Sequence, residues 1–258
     1  MLSVKNLSYT PHNELLFNNI SASFNDGEII GITGASGSGK SIFLDLLNNK
    51  KRDYEGSIFI DEYDIKKADK KKLKKIISYF SSLQVNVNPE AIVKEWILAG
   101  RINHKKMLSP YSDIDKEIAY REMTNFGLNH LAEIRLKLIS ETSQKMASLA
   151  RIFSAQTKIL LLEKPDSGLN IDQRVILSKC IKKYTMPGNS TVILTSTDLN
   201  FIAATCDKII VLHDNGIAET GTHRIITGEF VKKYFNVEAV ITKNIYTGLP
   251  EIQIIEES

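Results

Sequence analysis

A short glycine-rich segment carries the clearest chemistry in the chain. Gly34-Ala35-Ser36-Gly37-Ser38-Gly39-Lys40-Ser41 matches the pattern GxxxxGK[ST], between a predicted buried strand at 28–33 and a predicted helix at 42–47. Glycines let successive backbone N–H groups turn toward one anion, and a helix N-terminus adds partial positive charge. Lys40 would reach the outer phosphates of a nucleoside triphosphate, and the Ser41 hydroxyl would coordinate Mg²⁺. The segment is predicted to bind phosphate; the alternative is a glycine-rich turn with no ligand.

The sequence around this loop alternates between short apolar runs and amphipathic stretches. Strands are predicted at 2–9, 15–24, 28–33, 56–61, 78–80, 158–162, 191–195 and 208–212, and a C-terminal helix at 230–235. Between 89 and 154 the apolar residues, Trp96 among them, fall at helical spacing. This alternation is typical of an α/β fold with a parallel sheet.

The chain is predicted to form a single domain over residues 1–258, which is long enough to bury a large core. Its nucleotide-binding α/β core covers 1–88 and 155–227. An inserted helical subdomain covers 89–154, and a C-terminal tail covers 228–258.

Composition excludes several classes of protein. Lys+Arg 33 against Asp+Glu 30 gives a net charge of +3, too small to indicate a nucleic-acid partner. Cys180 and Cys206, in a chain without a secretory leader, are typical of a reduced intracellular protein. No apolar run approaches the ~18–20 residues of a membrane-spanning helix. A soluble, cytoplasmic protein that does not bind nucleic acid is expected.

Residues 66–75 contain seven lysines in ten positions. One interpretation is a solvated helical face, and the other is a patch that faces anionic lipid or a partner. Both interpretations predict exposed ammonium groups, so the sequence leaves the choice open.

Three longer stretches resemble the ATP-binding subunit of ABC transporters. LFNNISASFNDGEIIGITGASGSGKS (16–41) has that family's run from a β-rich region into the phosphate-binding loop. KILLLEKPDSGLN (158–170) stands where the family has a run like ILLLDEPTSGLD, and TVILTSTDLNFIAATCDKIIVL (191–212) is similar to the family's next conserved stretch. Proteins similar to uridine kinase carry a comparable loop on the first strand, whereas about thirty β-rich residues come first here.

The resemblance implies the P-loop NTPase fold of ABC ATPases, an α/β fold with an antiparallel β-layer and an inserted helical subdomain. It implies ATP and Mg²⁺ as ligands, membrane permease subunits as partners, and a homo- or heterodimer of ATP-binding subunits at the inner face of the cell membrane. Tyr9 stands at the position of an aromatic residue that stacks on adenine; the alternative is a half-buried strand tyrosine. Ser41 and Glu163 would hold Mg²⁺, and Ile42 and Ser82 would lie beside the phosphates.

Two short segments resemble the ferric-siderophore and cobalamin importer branch of that family. AGRINH (99–104) is similar to the branch's GRxPH, and NIYTGLPEIQII (244–255) is similar to its TGxP ending. The resemblance implies import of an iron-siderophore or a related metal chelate.

Several residues depart from the family's pattern. Glu163 stands for the Mg²⁺-directing aspartate and Lys164 for the catalytic glutamate, and an ammonium group cannot accept a proton. ISETS (139–143) stands for the LSGGQ signature. The remaining differences are Ile42 for a threonine, Ser82 for a glutamine (with Gln84 two places later), Asn170 for an aspartate and Thr197 for the switch histidine.

These departures predict ATP binding with impaired hydrolysis, because the phosphate-binding loop and Lys40 remain. Three hypotheses follow for the function. The chain is an ATP-binding subunit of an importer, or a hydrolysis-deficient pseudo-ATPase with a regulatory or structural role, or a soluble P-loop kinase.

Overall fold

The computed structural model describes residues 1–105 and 109–255. The strands are β1 (Leu2–Tyr9), β2 (Phe17–Phe24), β3 (Ile29–Thr33), β4 (Glu55–Ile60), β5 (Tyr63–Asp64), β6 (Ile77–Ser81), β7 (Ile159–Glu163), β8 (Thr191–Thr195), β9 (Lys208–His213), β10 (Gly216–Gly221), β11 (Ala239–Lys243) and β12 (Pro250–Ile254). The helices are α1 (Lys40–Leu47), α2 (Lys70–Ile76), α3 (Val93–Leu98), α4 (Asp113–Asn125), α5 (Glu141–Ser154), α6 (Ile171–Thr185), α7 (Leu199–Thr205) and α8 (Gly228–Phe235). Residues 106–108 of the predicted helical subdomain and 256–258 of the predicted tail lie outside the described residues.

Six strands form the central sheet, in the order β10-β9-β3-β8-β7-β6. β9, β3, β8, β7 and β6 are parallel, and β10 pairs antiparallel with β9. Both faces are buried: along β7, Leu161 packs in one hydrophobic cluster while Leu160 and Leu162 pack in the other. Strands buried on both faces have nearly continuous apolar sequences, as KILLL and TVILT do. The predicted α/β fold with a parallel sheet is confirmed.

A second, antiparallel sheet with the order β2-β1-β4-β5 packs over one face of the central sheet. α1 lies in the same cluster, where the rings of Phe17 and Phe43 meet edge to face at 5.7 Å. This sheet is the β-layer that the resemblance implied. β2 begins at Phe17, two residues later than predicted, because the chain first turns through a short 3-10 helix at Pro11–Asn13.

α3, α4 and α5 lie within the residues predicted as a helical subdomain. Arg101 joins them: its side chain is 7% exposed, its Nε lies 2.9 Å from Asp115 Oδ1, and its Nη1 donates to the Ser154 carbonyl at 2.9 Å. A Cβ at Gly100 would lie 2.0 Å from the Arg151 carbonyl oxygen, so only glycine allows this close approach to α5. The AGRINH segment therefore has a packing role in this chain.

The tail consists of α8 and a hairpin of β11 and β12. Gly248 lies in the hairpin turn with φ 70°, and its N–H donates to the Asn244 carbonyl at 2.8 Å. Asn200 of α7 holds β12 through hydrogen bonds to both backbone groups of Ile252, at 3.2 and 2.8 Å. The TGLP stretch (247–250) thus lies at the turn of the hairpin, and Ile252 docks the hairpin on α7. In the part of the chain that the structure describes, no helix combines the length and apolarity needed to cross a bilayer.

Candidate nucleotide-binding site

The strand before the glycine-rich loop and the helix after it fix the loop's shape. β3 ends at Thr33, and α1 begins at Lys40, two residues earlier than predicted. Gly34 has φ 139°, and a Cβ there would lie 2.3 Å from the Leu212 carbonyl oxygen. Gly39 has φ 86°, and a Cβ there would lie 2.7 Å from the Phe17 ring. The predicted strand–loop–helix context is present, and both glycines are needed to build it.

Lys40 is buried beneath this loop. Its Nζ donates to the carbonyl oxygens of Gly34 and Ala35, at 2.8 and 2.6 Å, and to Ser38 Oγ at 3.2 Å. Burial, together with the nearby positive charge of Lys164, lowers the pKa of Lys40 to about 8. The negative charge of a bound phosphate would offset both effects and stabilise the ammonium form, so this lysine favours an anionic ligand.

Glu163 is the last residue of β7 and is 3% exposed. The Tyr79 hydroxyl donates to its Oε2 at 2.7 Å. Burial raises the pKa of Glu163, but the hydroxyls of Ser41, Ser81 and Tyr79 and the charge of Lys50 lower it further, so the carboxylate is ionised. The same contact and burial raise the pKa of Tyr79, which therefore stays a hydrogen-bond donor.

Ser41 and Glu163 fit a hard divalent cation. Glu163 Oε1 is buried and has no well-aligned hydrogen bond among the described residues, although the Ser41 hydroxyl lies close enough to influence the carboxylate. An ionised carboxylate and a hydroxyl are the oxygen ligands that Mg²⁺ takes, with phosphate and water supplying the rest. No cluster of three or more acidic, histidine or cysteine side chains placed to hold a metal occurs in the described ranges.

Lys164 begins the loop that follows β7. Its backbone has φ 45°, and its N–H donates to the carbonyl and hydroxyl oxygens of Thr195, at 3.0 and 3.1 Å. Its ammonium group is near enough to lower the pKa of Lys40. Lys164 therefore adds positive charge beside the phosphate-binding loop and supplies no proton acceptor there.

The other predicted phosphate-side residues lie at the same edge of the sheet. Ser82 follows β6, and its N–H donates to the Glu163 carbonyl at 3.1 Å. Thr197 follows β8, whose last residue is aligned with Glu163 in the ladder, and its side chain is exposed. Gln84 is also exposed. The carboxyl ends of the parallel strands thus gather the loop, Glu163, Ser82 and Thr197.

The predicted stacking of Tyr9 on adenine is wrong. The ring is 3% exposed and belongs to the cluster between the two sheets, with Lys51 Nζ 5.8 Å from its centre. A ring enclosed in this way has no face open to adenine, and stacking would require it to leave the core. The burial exceeds even that of the half-buried alternative, because the Tyr9 side chain packs in the cluster between the two sheets. The exposed side chains at this turn are those of residues 12–15.

The remaining departures have local structural roles. Ser140 caps α5 by accepting a hydrogen bond from the Ser143 N–H at 3.2 Å. Asn170 caps α6 through a reciprocal pair of hydrogen bonds with Gln173. Ile42 packs against the cluster that contains α1.

Two residues near Glu163 were missed from the sequence. Tyr79 donates to the carboxylate, and Lys50 Nζ lies 3.7 Å from the centre of the Tyr79 ring. The available signal was a tyrosine placed two residues before the end of β6, because β6 neighbours β7 in the sheet. That pairing could not be read from the sequence, since the two strands are separated by the whole helical region.

Curated relatives with similar sequences are ATP-binding proteins of ABC transporters. An uncharacterized ABC transporter ATP-binding protein of Methanocaldococcus jannaschii is 29% identical, over 98% of this chain and 97% of that protein. The molybdate import ATP-binding protein MolC of Haemophilus influenzae is 26% identical over 92% and 88%. The ferric enterobactin transport ATP-binding protein FepC of Escherichia coli is 23% identical over 90% and 86%.

Solved structures give the same fold. A chain described as an inward-facing conformation of a metal-chelate type ABC transporter matches with a TM-score of 0.78 at 24% identity, covering 99% of this chain and 97% of that one. A dimeric ATP-binding cassette with bound ADP and Pi matches with a TM-score of 0.74 at 22% identity, covering 86% and 98%. The ABC transporter family model matches residues 17–167, more than half of the 258 residues, so the chain belongs to the ABC transporter family as one of its ATP-binding domains.

Proposed function

We propose that the chain is the ATP-binding subunit of an ABC importer, that it binds MgATP firmly, and that it hydrolyses ATP slowly. The observation that carries this proposal is the arrangement at the carboxyl edge of the central sheet. The loop, Lys40, Ser41 and ionised Glu163 lie there and would hold a magnesium triphosphate, while Lys164 follows Glu163 directly. Losing a general base costs about 10²–10⁴ in rate.

The residues divide the work between binding and chemistry. Lys40 and the loop N–H groups would neutralise the phosphates, and Ser41 with Glu163 would hold Mg²⁺. Mg²⁺, when bound, would neutralise part of the negative charge of the phosphate groups. Lys164 adds electrostatic attraction, because its ammonium lies beside the loop, but it cannot orient or deprotonate a water molecule.

The proposal extends to partners and cargo. The chain would dock on a membrane permease at the inner face of the membrane, and it would pair with a second copy or a paralogue, as the similar cassette does in its dimeric structure. The cargo we propose is a metal chelate such as a ferric siderophore. Its support is the similarity to the ferric enterobactin protein and, over nearly the full chain, to the metal-chelate type structure.

A melting experiment tests nucleotide binding. MgATP at ~100 times its dissociation constant should add about 2.7 kcal/mol to the free energy of unfolding. Lys40→Ala should abolish the resulting shift in Tm, because the ammonium that faces the phosphates is gone. The matched control is Lys179→Ala at an exposed lysine of α6, which should keep the full shift. Identical melting of wild type and Lys40→Ala in MgATP would refute the proposal.

Cargo is tested separately in cells that lack the chain. Loss of uptake of a ferric siderophore, with molybdate uptake unchanged, is the expected result. The reverse pattern would move the proposal to an oxyanion importer, which the similarity to the molybdate protein also allows.

A further inference from the structure

The lysine-rich segment 66–75 divides into one anchored residue and an exposed set. Lys66 Nζ lies 3.8 Å from the centre of the Tyr54 ring and donates to the Tyr54 carbonyl. The other lysines are exposed and lie on α2 or just before it. We call these six residues the lysine face: Lys67, Lys70, Lys71, Lys72, Lys74 and Lys75.

The charge of the lysine face is uncompensated. None of its six ammonium groups forms an ion pair with a carboxylate in residues 1–105 and 109–255. Asp69, the acid within the segment, is the N-cap of α2 and accepts a hydrogen bond from the Lys71 N–H at 3.2 Å. Like charges four residues apart, as at Lys70 and Lys74, destabilise a helix. Folding alone therefore gives no reason for this density of charge.

The lysine face is separate from the phosphate-binding loop. α2 ends at Ile76 and leads directly into the amino end of β6. The loop follows the carboxyl end of β3, and β3, β8, β7 and β6 are parallel. The amino and carboxyl ends of parallel strands lie at opposite edges of a sheet. A nucleotide at the loop therefore does not reach the lysine face.

The face is also held in place. Leu73 is buried beneath α2, and Asn103 Nδ2 donates to the Lys74 carbonyl at 3.1 Å. The contact joins the end of α2 to the segment that follows α3. Five of the six ammonium groups are thus presented on an ordered helix of about 10 Å, taking a rise of ~1.5 Å per residue, and Lys67 lies just before it.

We propose that the lysine face binds the anionic surface of a phospholipid membrane. This inference rests on the proposed function, which sets the chain on a permease and so beside a bilayer. Each lysine near an anionic leaflet favours binding by about fivefold. Residues 66–75 contain neither arginine nor an aromatic residue, so the segment lacks the side chains for bidentate phosphate contacts and base stacking. The chemistry therefore favours lipid headgroups over nucleic acid.

Vesicle flotation with the full chain tests the proposal. The vesicles contain phosphatidylcholine alone or phosphatidylcholine mixed with phosphatidylglycerol, at physiological ionic strength and without nucleotide. One variant removes three charges from the lysine face: Lys70→Gln, Lys71→Gln and Lys74→Gln. The control removes three exposed charges elsewhere, so that the net charge is the same: Lys179→Gln, Lys182→Gln and Lys243→Gln.

The expected result is binding to the mixed vesicles only, with a loss of about a hundredfold in the lysine-face variant and a much smaller loss in the control. Absence of binding to mixed vesicles, equal losses in the two variants, or tighter binding to a DNA duplex would each overturn the proposal. The vesicles contain no permease and no ATP. If MgATP did not shift the Tm of the wild-type chain but the chain still bound the mixed vesicles, the result would contradict the proposed function. The inference about the lysine face would still be supported.

Discussion

Glu163 and Lys164 are adjacent residues of opposite charge at the end of β7. Glu163 ends a strand, is buried and ionised, and has one oxygen free for a metal. Lys164 is fixed by two hydrogen bonds to Thr195 and adds a cation beside Lys40. In the function we propose, Glu163 favours MgATP binding through the metal, and Lys164 favours triphosphate binding through its charge but supplies no general base.

Lys164→Glu tests this division. The new carboxylate should weaken ATP binding, because a cation beside the phosphates becomes an anion. Single-turnover hydrolysis should rise only slightly unless residues 139–143 are also rebuilt as LSGGQ. Lys164→Gln is the control, since it removes the cation without adding a carboxylate and should weaken binding less. Wild-type turnover within the common enzymatic range of ~1–10³ s⁻¹ would contradict slow hydrolysis.

At the residue scale, features formed by residues close together in the chain could be predicted from the sequence more accurately than the burial of a side chain. The loop and Lys40 follow from one contiguous motif, and the structure has the strand and helix that the motif requires. The position of Tyr9 in the family's pattern predicts an adenine contact, but its burial depends on the packing of the second sheet, to which it belongs, over the central sheet. Tyr79 became visible only once β6 and β7 were known to be neighbours.

Among the elements, α5 is tied to the loop after β7 by a buried lysine. Lys145 Nζ donates to the Ser167 carbonyl, and the charge of the buried Asp166 carboxyl acts on it. Ser196 Oγ donates to Asp166 Oδ2 at 2.7 Å, which extends the contact to the loop after β8. The loops that follow β7 and β8 are therefore fixed to the helix that carries residues 139–143 at its start.

This lysine predicts how stability depends on pH. Burial lowers the pKa of Lys145 to about 8 from its ordinary 10.5, despite the opposing effect of Asp166. Between those values the unfolded chain binds more protons than the folded chain, so the free energy of unfolding rises with pH. In Lys145→Met, the free energy of unfolding should rise by about 2 kcal/mol less between about pH 8 and 10 than it does in the wild type. Urea denaturation at each pH measures this difference. A matching loss in the exposed control Lys179→Met would contradict the assignment to Lys145.

Element types were predictable where apolar runs were continuous. β7, β8 and β9 lie within one residue of their predicted bounds because both faces of each are buried. β1 has its predicted bounds, Leu2–Tyr9, but its alternation does not reveal the register shift between Val4 and Leu7, where Asn6 has φ 50°. A bulge of this kind depends on the partner strand, which no local pattern contains.

At the scale of the whole molecule, a buried ion pair joins the helices of the helical region to one another. Arg101 and Asp115 are 7% and 8% exposed, and Arg101 also reaches the carbonyl of Ser154 at the end of α5. Ser154 precedes the chain's return to the central sheet at β7. The pair therefore fixes the last turn of α5 just before the strand that ends in Glu163.

Arg101→Met should destabilise the fold by about 3–5 kcal/mol, because it leaves the Asp115 carboxylate buried without its cation. The control is Lys94→Met, which breaks an exposed pair with Glu133 and should change the urea midpoint little. The MgATP-dependent Tm shift should survive in both variants, since neither residue lies at the sheet edge. Comparable urea midpoints for the two variants would show that breaking the buried Arg101 pair costs no more stability than breaking the exposed Lys94 pair.

Gly34 has a consequence for which changes this chain can accumulate. A side chain there would collide with the Leu212 carbonyl oxygen of β9, so the glycine-rich loop is also part of how β3 and β9 pack. Thr197 and Gln84 are exposed, and substitutions there would cost folding little. Random mutation would therefore erode catalysis at this edge long before it eroded phosphate binding, because misfolding removes the variants that spoil the loop. Under weak selection for ATP hydrolysis, such a protein would drift toward a form that still binds nucleotide, without any selection for nucleotide binding itself.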